Sequence, residues 1–445
     1  MRYKKQLLAI VSMAALIFSI QCSKSFETSG DKNVSLDDSE KNSLNESSQF
    51  FINNGKQIFR FDTYGDEDFW SGLLHIDKAI AGADNGGFGP GVSPNTALAV
   101  GLKVDVDALP PDVIAGIKSG TIDLDDPATT IELLKLNSVV GVKGNFSNGG
   151  NLKSVGITCA SCHSTVDNSF APGIGKRLDG WPNRDLNVGA IISLTDNAQP
   201  IADLLHVDEA TLRNVLGLWG PGKFAAVLFM DGKAFRPDGK VAANVIPAAF
   251  GLEGIHLATY TGWGDISYWN AFVANLEMHG KGTFFDPRLN NPVKYPIAVE
   301  NRFYSVFNFP DLVTPKLLAL RLYQHSIKAP KPPSGSYDKA AAHKGKDIFL
   351  SKAKCATCHA LPLYSDNVLH KAAEIGIDDF EAMRSPTGKY RTTPLGGLFT
   401  RAKGGFYHDG RFPNLMAVVN HYNHYHKLHL SREEKADLVE FLKSL

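Results

Sequence analysis

The pattern C-x-x-C-H occurs twice in this 445-residue chain, as Cys159-Ala160-Ser161-Cys162-His163 and as Cys355-Ala356-Thr357-Cys358-His359. Two thiols one helical turn apart can add across the two vinyl groups of a haem, and the histidine that follows reaches the iron as its proximal ligand. Two covalently bound haem c groups are therefore expected, on Cys159, Cys162 and His163 and on Cys355, Cys358 and His359. A four-cysteine zinc site would need the two distant pairs brought together, with both histidines spare. A thiol–disulfide redox pair has no use for a histidine directly after each motif. The fifth and last cysteine is Cys22, so none is left for a disulfide.

Haem attachment of this kind belongs outside the cytoplasm, and the start of the chain agrees. Arg2, Lys4 and Lys5 make a basic head, and Leu7 to Ile20 is an apolar run too short to span a bilayer comfortably. Residues 1–21 read as a signal peptide, and Cys22 directly after them as a lipidation point. Residues 22–50, rich in Ser, Asp, Asn, Lys and Glu, read as a flexible tether. The expected location is the periplasm, with membrane contact through the N-terminal lipid alone. The 46 basic and 46 acidic residues cancel, and no long basic run points to nucleic acid.

Ala329-Pro330-Lys331-Pro332-Pro333-Ser334-Gly335 is a proline-stiffened linker. It divides the chain into an N-terminal haem domain over 51–328 and a C-terminal cytochrome c domain over 336–445. The pattern G-K-x-I-F occurs in both, at Gly55–Phe59 and Gly345–Phe349. The second copy lies just ahead of its haem motif. The first is separated from Cys159 by a stretch rich in Gly, Pro and Asp, read as an insertion of loops and short helices. Leu415, Val418, Val419 and Tyr422 repeat at helical spacing, and Ser431 with Glu434 makes a capping box for a last helix. The fold class expected is mostly α: two cytochrome c-like haem domains, the first enlarged by loop-rich insertions.

From the linker onward the chain resembles the bacterial dihaem cytochrome c peroxidase superfamily. The residues that carry this are Gly345–Phe349, the second C-x-x-C-H, Tyr390-Arg391-Thr392-Thr393-Pro394-Leu395, Tyr407-His408-Asp409-Gly410-Arg411, Val418–Asn423 and Glu434–Leu438. In the first half, Phe59-Arg60-Phe61-Asp62-Thr63, Tyr268-Trp269 and Phe284-Phe285 are similar to a branch related to the latex-cleaving rubber oxygenases. The resemblance implies a reactive N-terminal haem and a C-terminal haem that relays electrons to it. No histidine follows His163 until His206, so the first iron is expected to be open to peroxide or dioxygen. For the sixth ligand of the second haem the candidates are Tyr422, where the family's methionine aligns, His421 and His408. Glu253, His256, Asp265 and Glu277 are candidate acid–base groups over the first haem. Tyr268, Trp269 and Phe284 are candidate distal-pocket residues. The family's inter-haem tryptophan falls to one of Trp181, Trp219, Trp263 and Trp269. The resemblance also admits a calcium ion between the domains and a homodimer.

The function implied is a peroxidase that reduces hydrogen peroxide with electrons from a small periplasmic donor of cytochrome or cupredoxin type. The alternatives are a haem-dependent oxygenase or oxidase of an apolar or peptide substrate, acting with dioxygen, and a plain electron-transfer cytochrome.

Overall fold

The computed structural model describes residues 38–445, with side chains from residue 46 onward. The signal peptide and Cys22 lie outside the described residues. Ser48–Leu445 form one unit by contact, and the chain is mostly helical, with two-stranded sheets as its only sheets among the described residues. None of its described helices is long and apolar enough to cross a membrane.

The first helix, α1, runs from Asp38 to Phe61. It begins inside the stretch expected to be a flexible tether, whose last residues are therefore helical. Ile58 and Phe59, both buried, anchor its C-terminal half, and once a helix is nucleated each further turn of polar residues costs little. The inserted region contains a hairpin, β1 (Val142–Phe146) with β2 (Leu152–Ile157), and an amphipathic helix, α2 (Glu209–Trp219), capped by Asp208. Next come α3 (Ile266–Phe272), capped by Asp265, and α4 (Leu317–Ser326). Beyond the 329–335 stretch, which has no regular structure, lie α5 (Lys339–Leu350), α6 (Leu415–Tyr425) and α7 (Arg432–Lys443). The expected capping box is present: Ser431 Oγ accepts from Glu434 N, and Ser431 N donates to the Glu434 carboxylate.

The two G-K-x-I-F copies do the same mechanical job. A Cβ on Gly55 would lie 1.9 Å from the Ala319 carbonyl oxygen of α4, and one on Gly345 would lie 2.0 Å from the Asp437 carbonyl oxygen of α7. Only glycine lets these backbones come so close. The phenylalanine one turn on then seals each crossing, with Phe59 5.5 Å from Tyr323 and Phe349 5.1 Å from Phe441 between ring centroids. Each haem motif thus falls between the two helices of a clasp, α1 with α4 and α5 with α7. Gly345→Ala is expected to lose roughly 1–3 kcal/mol of stability or more, as overpacking does; thermal denaturation followed by circular dichroism measures it.

The apolar interior follows this division. The largest buried cluster fills the inserted region and α3, a second joins α1 to α4, and a third joins α5, α6 and α7. Polar bonds stitch the parts together. The buried Arg384 guanidinium donates to both oxygens of Asp231 at 2.8 and 3.0 Å and to Glu381 at 3.1 Å. Arg236 reaches Asp409 at 2.6 Å and Asp378 at 2.8 Å.

Candidate haem sites

The hairpin presents the first motif. Its Gly141 carbonyl accepts from Thr158 N at 2.9 Å and from Ser161 Oγ, and a Cβ on Gly141 would collide with the Ser161 backbone. The short turn Ala160–His163 is thereby fixed, and Cys159, Cys162 and His163 line one wall of a cavity of about 740 Å³. A second cavity, of about 530 Å³, is lined by Cys355, Cys358 and His359. The two cysteine pairs face different cavities, which removes the four-cysteine zinc arrangement.

Both proximal histidines are oriented for a metal. His163 Nδ1 lies 3.1 Å from the Pro247 carbonyl and His359 Nδ1 lies 3.0 Å from the Tyr364 carbonyl. A carbonyl only accepts, so Nδ1 carries the proton and Nε2 presents its lone pair. Burial lowers both imidazoles, His163 to about 4, so they are neutral and able to ligate. The four cysteines are free. Burial pushes Cys159 up to about 11 and Cys162 and Cys355 up to about 12. These are inert thiols and not the depressed thiolates of a redox pair. Thiols on a cavity wall, an aimed imidazole and apolar walls of this volume fit two haem c groups.

Over the first cavity the sequence candidates separate. Trp269 lines it, with Asn270 and Val273 on the same face of α3 and its continuation. At Val273–Glu277 the helix widens into a π turn, a feature common at functional sites. The turn carries Glu277 to the cavity wall. Both Glu277 oxygens are buried without a hydrogen-bond partner, and burial holds this carboxyl well above the usual range, hence protonated. The other candidates do not reach the cavity. Glu253 is exposed and paired with Lys328. His256 is exposed, its backbone N–H bonded to Asn367. Asp265 caps α3. Phe284 is buried behind the pocket, against Tyr268 and Phe272, and the Tyr268 hydroxyl is turned to Asp286 at 2.5 Å.

His206, the next histidine after the first motif, lies at the cavity rim, exposed and 2.8 Å from Glu300. A histidine the sequence did not single out does line the cavity. His279 holds a left-handed turn (φ 63°), its ring stacked 3.7 Å from Phe69, and burial lowers it to about 4.

At the second cavity Tyr422 and His408 are lining residues and His421 is not. His421 Nε2 bonds the Ile375 carbonyl at 2.9 Å, and its ring packs on Phe412 and Tyr425. Neighbouring positions on a helix point about 100° apart, so α6 can turn only one of the two inward. Tyr422 lies close enough to Cys355 and Cys358 to feel both, and burial raises its phenol to about 12. His408 stacks on Tyr390 at 5.1 Å, with its Nε2 buried and unpaired.

Pro247, Ala248, Leu252, Tyr260 and Arg391 line both cavities. None of the four candidate tryptophans does, so the aromatic residue in the partition is Tyr260. Among the described residues the one group of three acidic, imidazole or thiol ligands close enough to share an ion is Cys358, Asp366 and His370, a set unsuited to calcium.

No family model matches the chain. One curated protein, the methylamine utilization protein MauG of Methylorubrum extorquens, is 31% identical over 124 residues, which is 24% of this chain and 35% of the relative. Over that stretch, and over that stretch alone, the chain is similar to MauG. The matched stretch spans about a third of the relative's length. Among solved structures, a MauG-like protein associated with microbial copper homeostasis aligns at 18% identity and TM-score 0.27, covering 50% of this chain and 80% of that one. The hydrazine synthase of Kuenenia stuttgartiensis aligns at 21% identity and TM-score 0.27, covering 46% of this chain and 72% of that chain.

Proposed function

We propose that this chain is an exported dihaem peroxidase in which the C-terminal site relays electrons to the N-terminal site, where hydrogen peroxide is reduced to water. The observation that carries this is Glu277, a protonated, unpartnered carboxyl on the wall of the cavity that holds His163. Cleaving peroxide to two waters consumes two electrons and two protons. The haems, when bound, supply the redox centres and the iron to which peroxide binds. The chain supplies protons and orientation. Glu277 donates a proton to the departing oxygen and recovers it from solvent, as a general acid whose pKa burial has raised. Trp269 and Val273 keep bulk water from that carboxyl, and His279 adds a neutral imidazole to the wall. The electron donor is a small periplasmic protein of cytochrome or cupredoxin type. Steady-state turnover of peroxide with a reduced cytochrome or a dye donor tests the reading; no turnover by the haem-loaded protein sinks it. An oxidised protein with both haems low-spin, each with two strong ligands, would sink the expectation that the first iron is open.

For the C-terminal haem we assign Tyr422 as the sixth ligand, since of the three candidates it alone both lines the cavity and bears on the two haem cysteines. Tyr422→Phe is expected to change the electron paramagnetic resonance signal of one haem and leave the other untouched. An unchanged signal there, with a change in His408→Ala, would give the position to His408.

The breadth of the first cavity favours a second reading. Phe69, Trp70, Leu73, Ile76 and Ile80 extend its apolar wall, as an oxygenase of an apolar substrate would need. A ferrous–dioxygen adduct stable without substrate would favour this reading over the peroxidase.

A further inference from the structure

Among the described residues, three cavity-lining arginines are left without a counter-charge. Arg184, Arg391 and Arg401 all line the cavity of Cys355, Cys358 and His359, and Arg391 also lines the other cavity. Backbone carbonyls steer each guanidinium. Arg184 Nη1 donates to Lys403 at 3.3 Å and Gly405 at 3.4 Å, and Arg391 Nη1 to Leu257 at 2.7 Å. Arg401 donates to Pro394 and Gly396, each at 2.7 Å. Carbonyls fix direction but bring no net charge. Among the described residues no carboxylate pairs with any of the three, and Nε of each is buried without a hydrogen-bond partner. The acids nearby are committed, Asp409 to Arg411 and Arg236, and Glu374 to His370.

The three charges also crowd one another. All bear on the Tyr260 phenol in the partition. Burial, then repulsion from Arg401, lowers Arg391 to about 10, and burial above all lowers Arg401 to about 10. Like charges gathered away from water are unfavourable unless an anion joins them. The anion must be a carboxylate or phosphate group, which guanidinium forks match, and it must sit in the second cavity.

We propose that Arg184, Arg391 and Arg401 cradle the two propionate carboxylates of the haem joined to Cys355 and Cys358. This rests on the dihaem reading above. Arg184 comes from the first half of the chain and the other two from the second, so the carboxylates bridge the halves. Arg391 and Tyr260 line both cavities, so a carboxylate held by Arg391 would lie at the boundary between them. The cradle's positive charge favours the reduced form of this haem.

The test is spectroelectrochemistry of the full, haem-loaded chain, with haem content read from the pyridine haemochrome spectrum. Arg401→Gln and Arg184→Gln are each expected to retain two haems per chain. Each lowers the midpoint of the C-terminal haem, shifting its ferrous-to-ferric ratio at fixed potential by about tenfold, about 59 mV for one electron. Arg401→Lys, which keeps the charge, stays closer to the parent. An unmoved C-terminal midpoint in both glutamine variants, with both haems present, overturns the cradle and leaves the dihaem reading intact. A parent midpoint that follows added inorganic phosphate assigns the arginines to a soluble anion and overturns it as well. A parent without covalent haem at Cys355 and Cys358 overturns both.

Discussion

Glu277→Gln is expected to slow peroxide turnover by about 10²–10⁴-fold, the range set by removing a positioned acid–base group. Glutamine keeps the size and the hydrogen-bonding capacity of the side chain, and removes only the transferable proton. Because both Glu277 oxygens are buried without partners, no neighbouring bond is broken by the change. Haem content and the spectrum of the C-terminal haem should therefore match the parent. The loss should fall on the peroxide step, visible in single-turnover mixing of the fully reduced protein with peroxide. Parent-like rates would remove Glu277 from the chemistry. Glu253→Gln is the companion control. Its carboxylate is exposed and paired with Lys328, and turnover should be unchanged.

Arg384→Ala is expected to cost about 3–5 kcal/mol of stability, the range for breaking a buried charge pair from one side. Arg384 and Asp231 are each 1% exposed in their side chains, and Glu381 is almost as buried. Removing the guanidinium strands two carboxylates away from water. Asp231 belongs to the first half of the chain and Arg384 to the second, so the damage lies where the halves meet. Chemical denaturation should show a lowered midpoint. Arg384→Met, which restores bulk but not charge, should recover little, since the stranded carboxylates remain. A midpoint equal to the parent's in both variants would mean that water reaches these groups and that the pair contributes little.

The haem motifs and the G-K-x-I-F repeat were legible because each is local. C-x-x-C-H states its chemistry within five residues, and G-K-x-I-F carries both the glycine that admits a neighbouring backbone and the phenylalanine that covers it. The facing of the first cavity was not legible. Glu253 and His256 lie in loop, where sequence gives no phase. Along α3 a regular helix would have turned position 277 progressively off the face of Trp269 and Val273; the wider π turn restores it. His279 depends on that same turn and on a left-handed backbone, neither of which has a pattern in the sequence. At the second cavity the sequence brought His421 and Tyr422 to the same place, and only the orientation of α6 tells them apart. The three arginines were invisible for a different reason. Arg184 lies far from Arg391 and Arg401 in the chain, and their shared lack of an acid is a property of packing.

The two clasps close over very different lengths of chain. Gly55 meets Ala319, whereas Gly345 meets Asp437. Loop-closure entropy grows only logarithmically with length, so the longer closure is dearer by about 1 kcal/mol. The first clasp can therefore enclose a large, cavity-bearing insertion at little expense in equilibrium stability. The rate of folding responds more strongly, since distant contacts slow the search for the native state. The α5–α7 unit would then assemble ahead of the α1–α4 unit, although it is made last, and stand ready as a surface on which the first half completes itself.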